Sequence, residues 1–64
     1  MNLDSYTTSQ LEQINKDLQV ARYADLSLSA TRFINDVRDS DKKFAMSGAW
    51  TAAIELVRNE LKKR

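Results

Sequence analysis

The chain has 64 residues and a formal net charge of +1, with no cysteine, no histidine, no proline and one glycine. That composition excludes a disulfide framework and makes zinc, iron and copper sites untenable. It also takes away the imidazole of base-driven catalysis and the glycine-rich loop of phosphate chemistry, so the expectation is a non-enzymatic protein with no cofactor and no metal.

A chain of this size makes one domain at most and buries only about 60% of its unfolded surface. Leu, Ile, Val and Phe still supply 15 of 64 residues, above the roughly 20% below which disorder prevails, so folding is expected. No run approaches the ~18 apolar residues of a membrane span. Met1-Asn2-Leu3-Asp4 lacks the basic start and apolar core of a signal peptide, so a cytoplasmic chain with no membrane partner is expected.

The elements follow in chain order. Thr7 and Gln10 form a capping-box pair with Tyr6 and Leu11 at staple positions, which starts a first helix. Leu11, Ile14, Leu18 and Ala21 recur at three- and four-residue intervals and predict a helix over about 8–24, with Val20 and Tyr23 off its stripe. A short connection, Asp25-Leu26-Ser27-Leu28-Ser29, offers Ser27 or Ser29 as the cap of a second helix over about 28–38. Ala30, Phe33, Ile34 and Val37 are its buried face. The polar stretch Asp39-Ser40-Asp41-Lys42-Lys43 reads as a loop.

Ser47 caps a third helix over about 47–63. Trp50, Ala53, Ile54, Val57 and Leu61 make one apolar stripe, and Ala49, Ala52 and Leu56 a second about 120° away at 3.6 residues per turn. The combined arc of roughly 200° exceeds the ~100° a surface helix needs. Either this helix is central and touches both others, or one stripe faces a partner or a second copy. The fold class is all-α, a small three-helix bundle in a single domain over 1–64. A helical hairpin that dimerises is the alternative.

Charge divides unevenly. Residues 1–31 hold Lys16 and Arg22 against Asp4, Glu12, Asp17 and Asp25, a net of −2, whereas residues 32–64 hold eight basic and five acidic residues, a net of +3. The basic residues read first as solvated helix ends, with Lys62-Lys63-Arg64 complementing the helix dipole, and second as a surface for phosphates or an acidic partner. Asp36, Asp39 and Asp41 lack the spacing and glycine of a calcium loop.

Residues 20–35 resemble the helix-turn-helix of Lac-repressor-type headpieces. Ala21 stands where a small residue packs at the helix crossing, Leu26 and Ser27 in the turn, and Arg32, Ile34 and Asn35 at the end of the recognition helix, with one residue gapped. Asp25 occupies the turn position where glycine is usual. The stretch Ser47 to Leu61 is similar to the headpiece's third helix. The resemblance implies a DNA-binding regulator in which Ser27, Ser29, Thr31 and Arg32 face the major groove with Leu28, and Arg38, Lys42 and Lys43 meet phosphates. Leu11, Ala24, Leu26, Leu28, Ser29, Phe33 and Ile34 are also similar to the helical hairpin of a sporulation-kinase inhibitor family, which implies a protein partner.

Surplus apolar surface favours the protein partner. Val20, Tyr23, Leu28 and Leu56 are the candidate contacts, and Trp50 and Phe33 read as core. The leading expectation is a regulatory or adaptor protein that binds a protein partner stoichiometrically through helix surfaces. A DNA-binding regulator and a self-associating homodimer or assembly subunit are the alternatives.

Overall fold

The Thr7 hydroxyl and the Gln10 amide close a reciprocal pair at the start of the first helix. Thr7 Oγ1 accepts from the Gln10 N–H at 3.1 Å, and Gln10 Oε1 accepts from the Thr7 N–H at 2.8 Å. This computed structural model describes residues 2–40 and 46–64. They form α1 (Thr8–Asp17), a one-turn 3-10 helix (Tyr23–Asp25), α2 (Leu28–Ser40) and α3 (Met46–Lys63). The chain is a three-helix bundle in which every helix touches the other two, and α3 lies against both α1 and α2. There is no strand among the described residues.

α1 ends seven residues before the expected Ala24. Leu18 is its C-cap, and the last carbonyls find partners other than a further helical turn. The Gln19 side-chain amide donates to the Asn15 carbonyl at 3.2 Å. The Trp50 indole N–H, from α3, donates to the Leu18 carbonyl at 2.8 Å. Helix ends leave these acceptors unsatisfied unless side chains reach them, and a tryptophan 32 residues away does so here. Ala21, the fourth residue of the expected stripe, is consequently exposed in a bend. The chain then turns through Tyr23–Asp25, where Arg22 and Asp25 pair across 3.1 Å.

Ser27 rather than Ser29 caps α2, its Oγ accepting from the Ala30 N–H at 3.1 Å. The same hydroxyl donates to Asp17 Oδ2 at 2.9 Å, tying the start of α2 to the end of α1. α2 runs two residues beyond the expected 38, so Asp39 and Ser40 are helical. Asp41, Lys42, Lys43, Phe44 and Ala45 lie outside the described residues. α3 is already helical at Met46, one residue before the expected cap at Ser47.

The core comprises Leu3, Leu11, Ile14, Leu18, Ala30, Phe33, Ile34, Val37, Ala49, Ala53 and Val57. On α3 the fully buried line is Ala49, Ala53 and Val57, the first from the second expected stripe and the other two from the first, along the seam where the stripes meet. Trp50, Ile54 and Leu61 flank it on one side, Ala52 and Leu56 on the other, all partly buried. The wide apolar arc is therefore the mark of a central helix, and alanines at its midline let α1 and α2 approach closely. An 18-residue helix at 1.5 Å per residue is about 27 Å long, which matches the longest extent of the molecule, 28 Å.

Two residues the sequence pattern left aside complete the fold. Leu3 is buried, and Arg64 holds it in place. The Arg64 guanidinium donates to the carbonyls of Leu3 (3.1 Å) and Tyr6 (3.0 Å) and to Thr8 Oγ1 (3.3 Å), and pairs with Glu60. The final basic cluster thus supplies a clamp between α3 and the segment preceding α1. Lys62 and Lys63 stay exposed.

Candidate functional site

Two concavities flank α1, and they share no lining residue. The first, about 350 Å³, lies where the chain leaves α1 against α3, and is lined by Leu18, Gln19, Val20, Trp50, Thr51 and Ile54. The early end of α1 creates it, since a helix continuing to residue 24 would carry Val20 elsewhere. Trp50 is its floor, fixed by the bond from its indole N–H to the Leu18 carbonyl. The Tyr23 ring meets Trp50 edge-on, with centroids 5.9 Å apart and planes at 78°. That is the favoured geometry for two aromatic quadrupoles. Tyr23 is nevertheless 41% exposed.

The second, about 270 Å³, lies between α1 and α2. Ile14 and Phe33, both core residues, form its apolar base. Tyr6, Gln10 and Gln13 stand on one side, and Ser29, Arg32 and Asp36 on the other. The Tyr6 ring packs edge-on against Phe33 at 5.6 Å, and its phenol lies toward the Asp36 carboxylate. Burial, then the negative charge of Asp36 and hydrogen bonding toward it, push the Tyr6 phenol above its ordinary value of 10.0. Gln13 Nε2 donates to Asp17 Oδ1 at 2.8 Å. Among the described residues, the Arg32 and Ser29 side chains enter no hydrogen bond or ion pair.

The expected protein-contact residues divide. Val20 lines the first concavity, and Tyr23 packs against its Trp50. Leu28, the first residue of α2, is 67% exposed. Leu56 is partly buried against the core, so the second α3 stripe faces inward. Of the expected DNA-facing residues, Ser27 is the helix cap, and the Thr31 hydroxyl donates back to the Ser27 carbonyl at 2.9 Å. Ser29 and Arg32 are exposed. Arg38 is half-buried and engaged. Lys42 and Lys43 lie outside the described residues.

The stretch 20–35 does not form a helix-turn-helix. That motif needs a turn of about three or four residues between its helices, whereas Leu18 through Ser27 separate α1 from α2. Ala21, which would pack at the crossing, is exposed.

Leu18 and Ile54 of the first concavity, and Ile14 and Phe33 of the second, read as core from spacing alone. The pairing of Tyr6 with Asp36 had no sequence signal at all. The four-residue spacing of Arg32 and Asp36 on α2 was the available clue to the second concavity, because such residues share a helix face.

Among the described residues no group of three or more carboxylates converges as a metal site, and no helix is long and apolar enough to cross a membrane. No known protein family, curated protein or solved structure matches the chain.

Proposed function

We propose that this chain is a non-enzymatic regulatory or adaptor protein that binds a protein partner stoichiometrically, through the groove between the end of α1 and α3. The observation that carries this reading is the edge-on Tyr23–Trp50 pair, with Trp50 lining the groove and Tyr23 beside it 41% exposed. Tyrosine and tryptophan are the side chains most often found to dominate binding energy at protein interfaces. The indole N–H is already bonded to Leu18, so covering Trp50 strands no donor. Val20 and Ile54 extend the apolar surface on either side. An apolar segment of a partner, most simply one face of an amphipathic helix, fits such a surface.

The test is affinity capture with the full chain and with Tyr23→Ser and Val20→Asn, with nuclease treatment in parallel. A nuclease-resistant partner that both substitutions remove, at unchanged helicity, supports the reading. A complex destroyed by nuclease and falling steeply with salt would instead place nucleic acid on this chain, and capture indifferent to both substitutions would move the interface elsewhere.

A further inference from the structure

Residues 2–6 form no helix, yet they place Leu3 in the core. Their own backbone bonds are local: the Tyr6 N–H donates to the Leu3 carbonyl at 3.1 Å, and the Asp4 N–H to Asn2 Oδ1 at 2.8 Å. Undocking this segment therefore breaks no helical hydrogen bond. α1 does not depend on it, because the Thr7–Gln10 capping box closes the helix start by itself. What reaches the segment from α3 is one side chain just past the helix end. The Arg64 guanidinium spans the Leu3 and Tyr6 carbonyls and Thr8 Oγ1, which lie 61, 58 and 56 positions away in sequence. A planar fork of five N–H donors can hold several acceptors at once, which a lysine ammonium does not do in one plane. Glu60 pairs with the same guanidinium at 3.2 Å, and the two side chains are only 23% and 20% exposed. Solvent screens such a pair less than a fully exposed one.

We propose that residues 2–6 are a strap that opens and closes as a unit on an otherwise intact bundle, with Arg64 as its latch. Segments with few buried contacts and few structural hydrogen bonds open locally, below the free energy of global unfolding. The strap contributes one core side chain, Leu3, and the edge-on contact of Tyr6 with Phe33. The other ten of the eleven core residues belong to the helices and the α1 cap and stay packed when it opens. Opening bares an apolar seat the size of one leucine, and closing seals it. Arg64 stands 14 residues along from Trp50, about 21 Å at 1.5 Å per residue, so this device is separate from the Tyr23–Trp50 groove and does not rest on the function proposed for it.

The experiment is native-state hydrogen exchange of the full chain, followed by NMR in urea below the unfolding transition. The Tyr6 amide, bonded to the Leu3 carbonyl, reports the strap, and the Val57 amide in the middle of α3 reports the bundle. The Tyr6 amide is expected to exchange faster than that of Val57, at a rate that hardly rises with urea. The Val57 rate should climb steeply, because global unfolding exposes far more surface. Arg64→Gln removes the charge-assisted bonds and should speed Tyr6 exchange about tenfold or more, still with little urea dependence. Ser27→Ala weakens the bundle equally whether the strap is closed or open. It should therefore speed Val57 exchange about tenfold and leave the Tyr6 rate unchanged. A Tyr6 amide that shares the rate and urea dependence of Val57, a Tyr6 rate unmoved by Arg64→Gln, equal acceleration of both amides by Ser27→Ala, or loss of helicity in Arg64→Gln would each overturn the proposal.

Discussion

The groove against α3 and the cleft against α2 are both built along α1, yet their polar atoms are in opposite states. At the groove, the indole N–H and the Gln19 amide are spent on backbone carbonyls, and what faces outward is aromatic and aliphatic. At the cleft, Ile14 and Phe33 lie at the base almost wholly buried, and among the described residues the Arg32 guanidinium at the rim enters no ion pair. Polar groups satisfied internally add little desolvation cost when covered, whereas an unpaired charge discriminates among ligands. The two concavities thus differ in what covering them would cost: little at the groove, more at the cleft.

Substitutions can break or sharpen this contrast, beginning with the most severe. Phe33→Ala removes the cleft's base together with the largest fully buried side chain among the described residues. It should cost about 3–5 kcal/mol, comparable to the whole stability of a domain this size, and circular dichroism should show loss of helicity. A folded Phe33→Ala protein would mean that the cleft does not depend on the core.

Trp50→Phe keeps an aromatic floor in the groove but leaves the Leu18 carbonyl without its donor. A cost of about 1–3 kcal/mol in urea unfolding is expected, with increased amide exchange from Leu18 to Tyr23. No change in exchange would show that the groove's shape does not rest on that bond.

Ser27→Ala acts where the two regions join, since one hydroxyl caps α2 and binds Asp17. It should cost about 1–2 kcal/mol. Ser29→Ala, at the position that does not cap, should fall within about 0.5 kcal/mol of the parent. Equal effects from the two would refute the assignment of the cap.

Tyr6→Phe is milder than Ser27→Ala, because it removes only the phenol that lies toward Asp36 and keeps the ring on Phe33. About 1 kcal/mol or less is expected. The sign of its pH dependence is fixed. The folded phenol titrates above 10.0, so the unfolded chain releases this proton first as pH rises. The contribution is therefore complete below pH 10.0 and is lost between that value and the raised one. The parent should lose stability in that alkaline window, and Tyr6→Phe should lose less. Identical alkaline profiles would show that Tyr6 and Asp36 are not coupled.

What the sequence determined by itself was local. Thr7 and Gln10 lie three residues apart and start α1 as their types dictate, and a serine at the entry of α2 caps it for the same reason, although Ser27 and Ser29 were equal candidates until the structure showed Ser27 accepting from the Ala30 N–H. The spacings of Leu11, Ile14 and Leu18 and of Ala30, Phe33, Ile34 and Val37 placed those residues in the core, because helical period alone decides which side chains share a face. The breadth of the apolar arc on α3 posed the choice between a central helix and a free docking stripe.

Tertiary structure made that choice and the remaining ones. Leu56 turned inward because α3 is packed from both sides. α1 stopped at Asp17 because its last carbonyls found Gln19 and a tryptophan from α3, which left Ala21 exposed and opened the groove. Leu3 became core because Arg64 holds the segment carrying it. Tyr6 lies toward Asp36, 30 positions on in sequence, because the segment preceding α1 folds back against α2. Each of these outcomes depends on a contact between residues distant along the chain, and periodicity, which compares only near neighbours, carries no trace of such contacts.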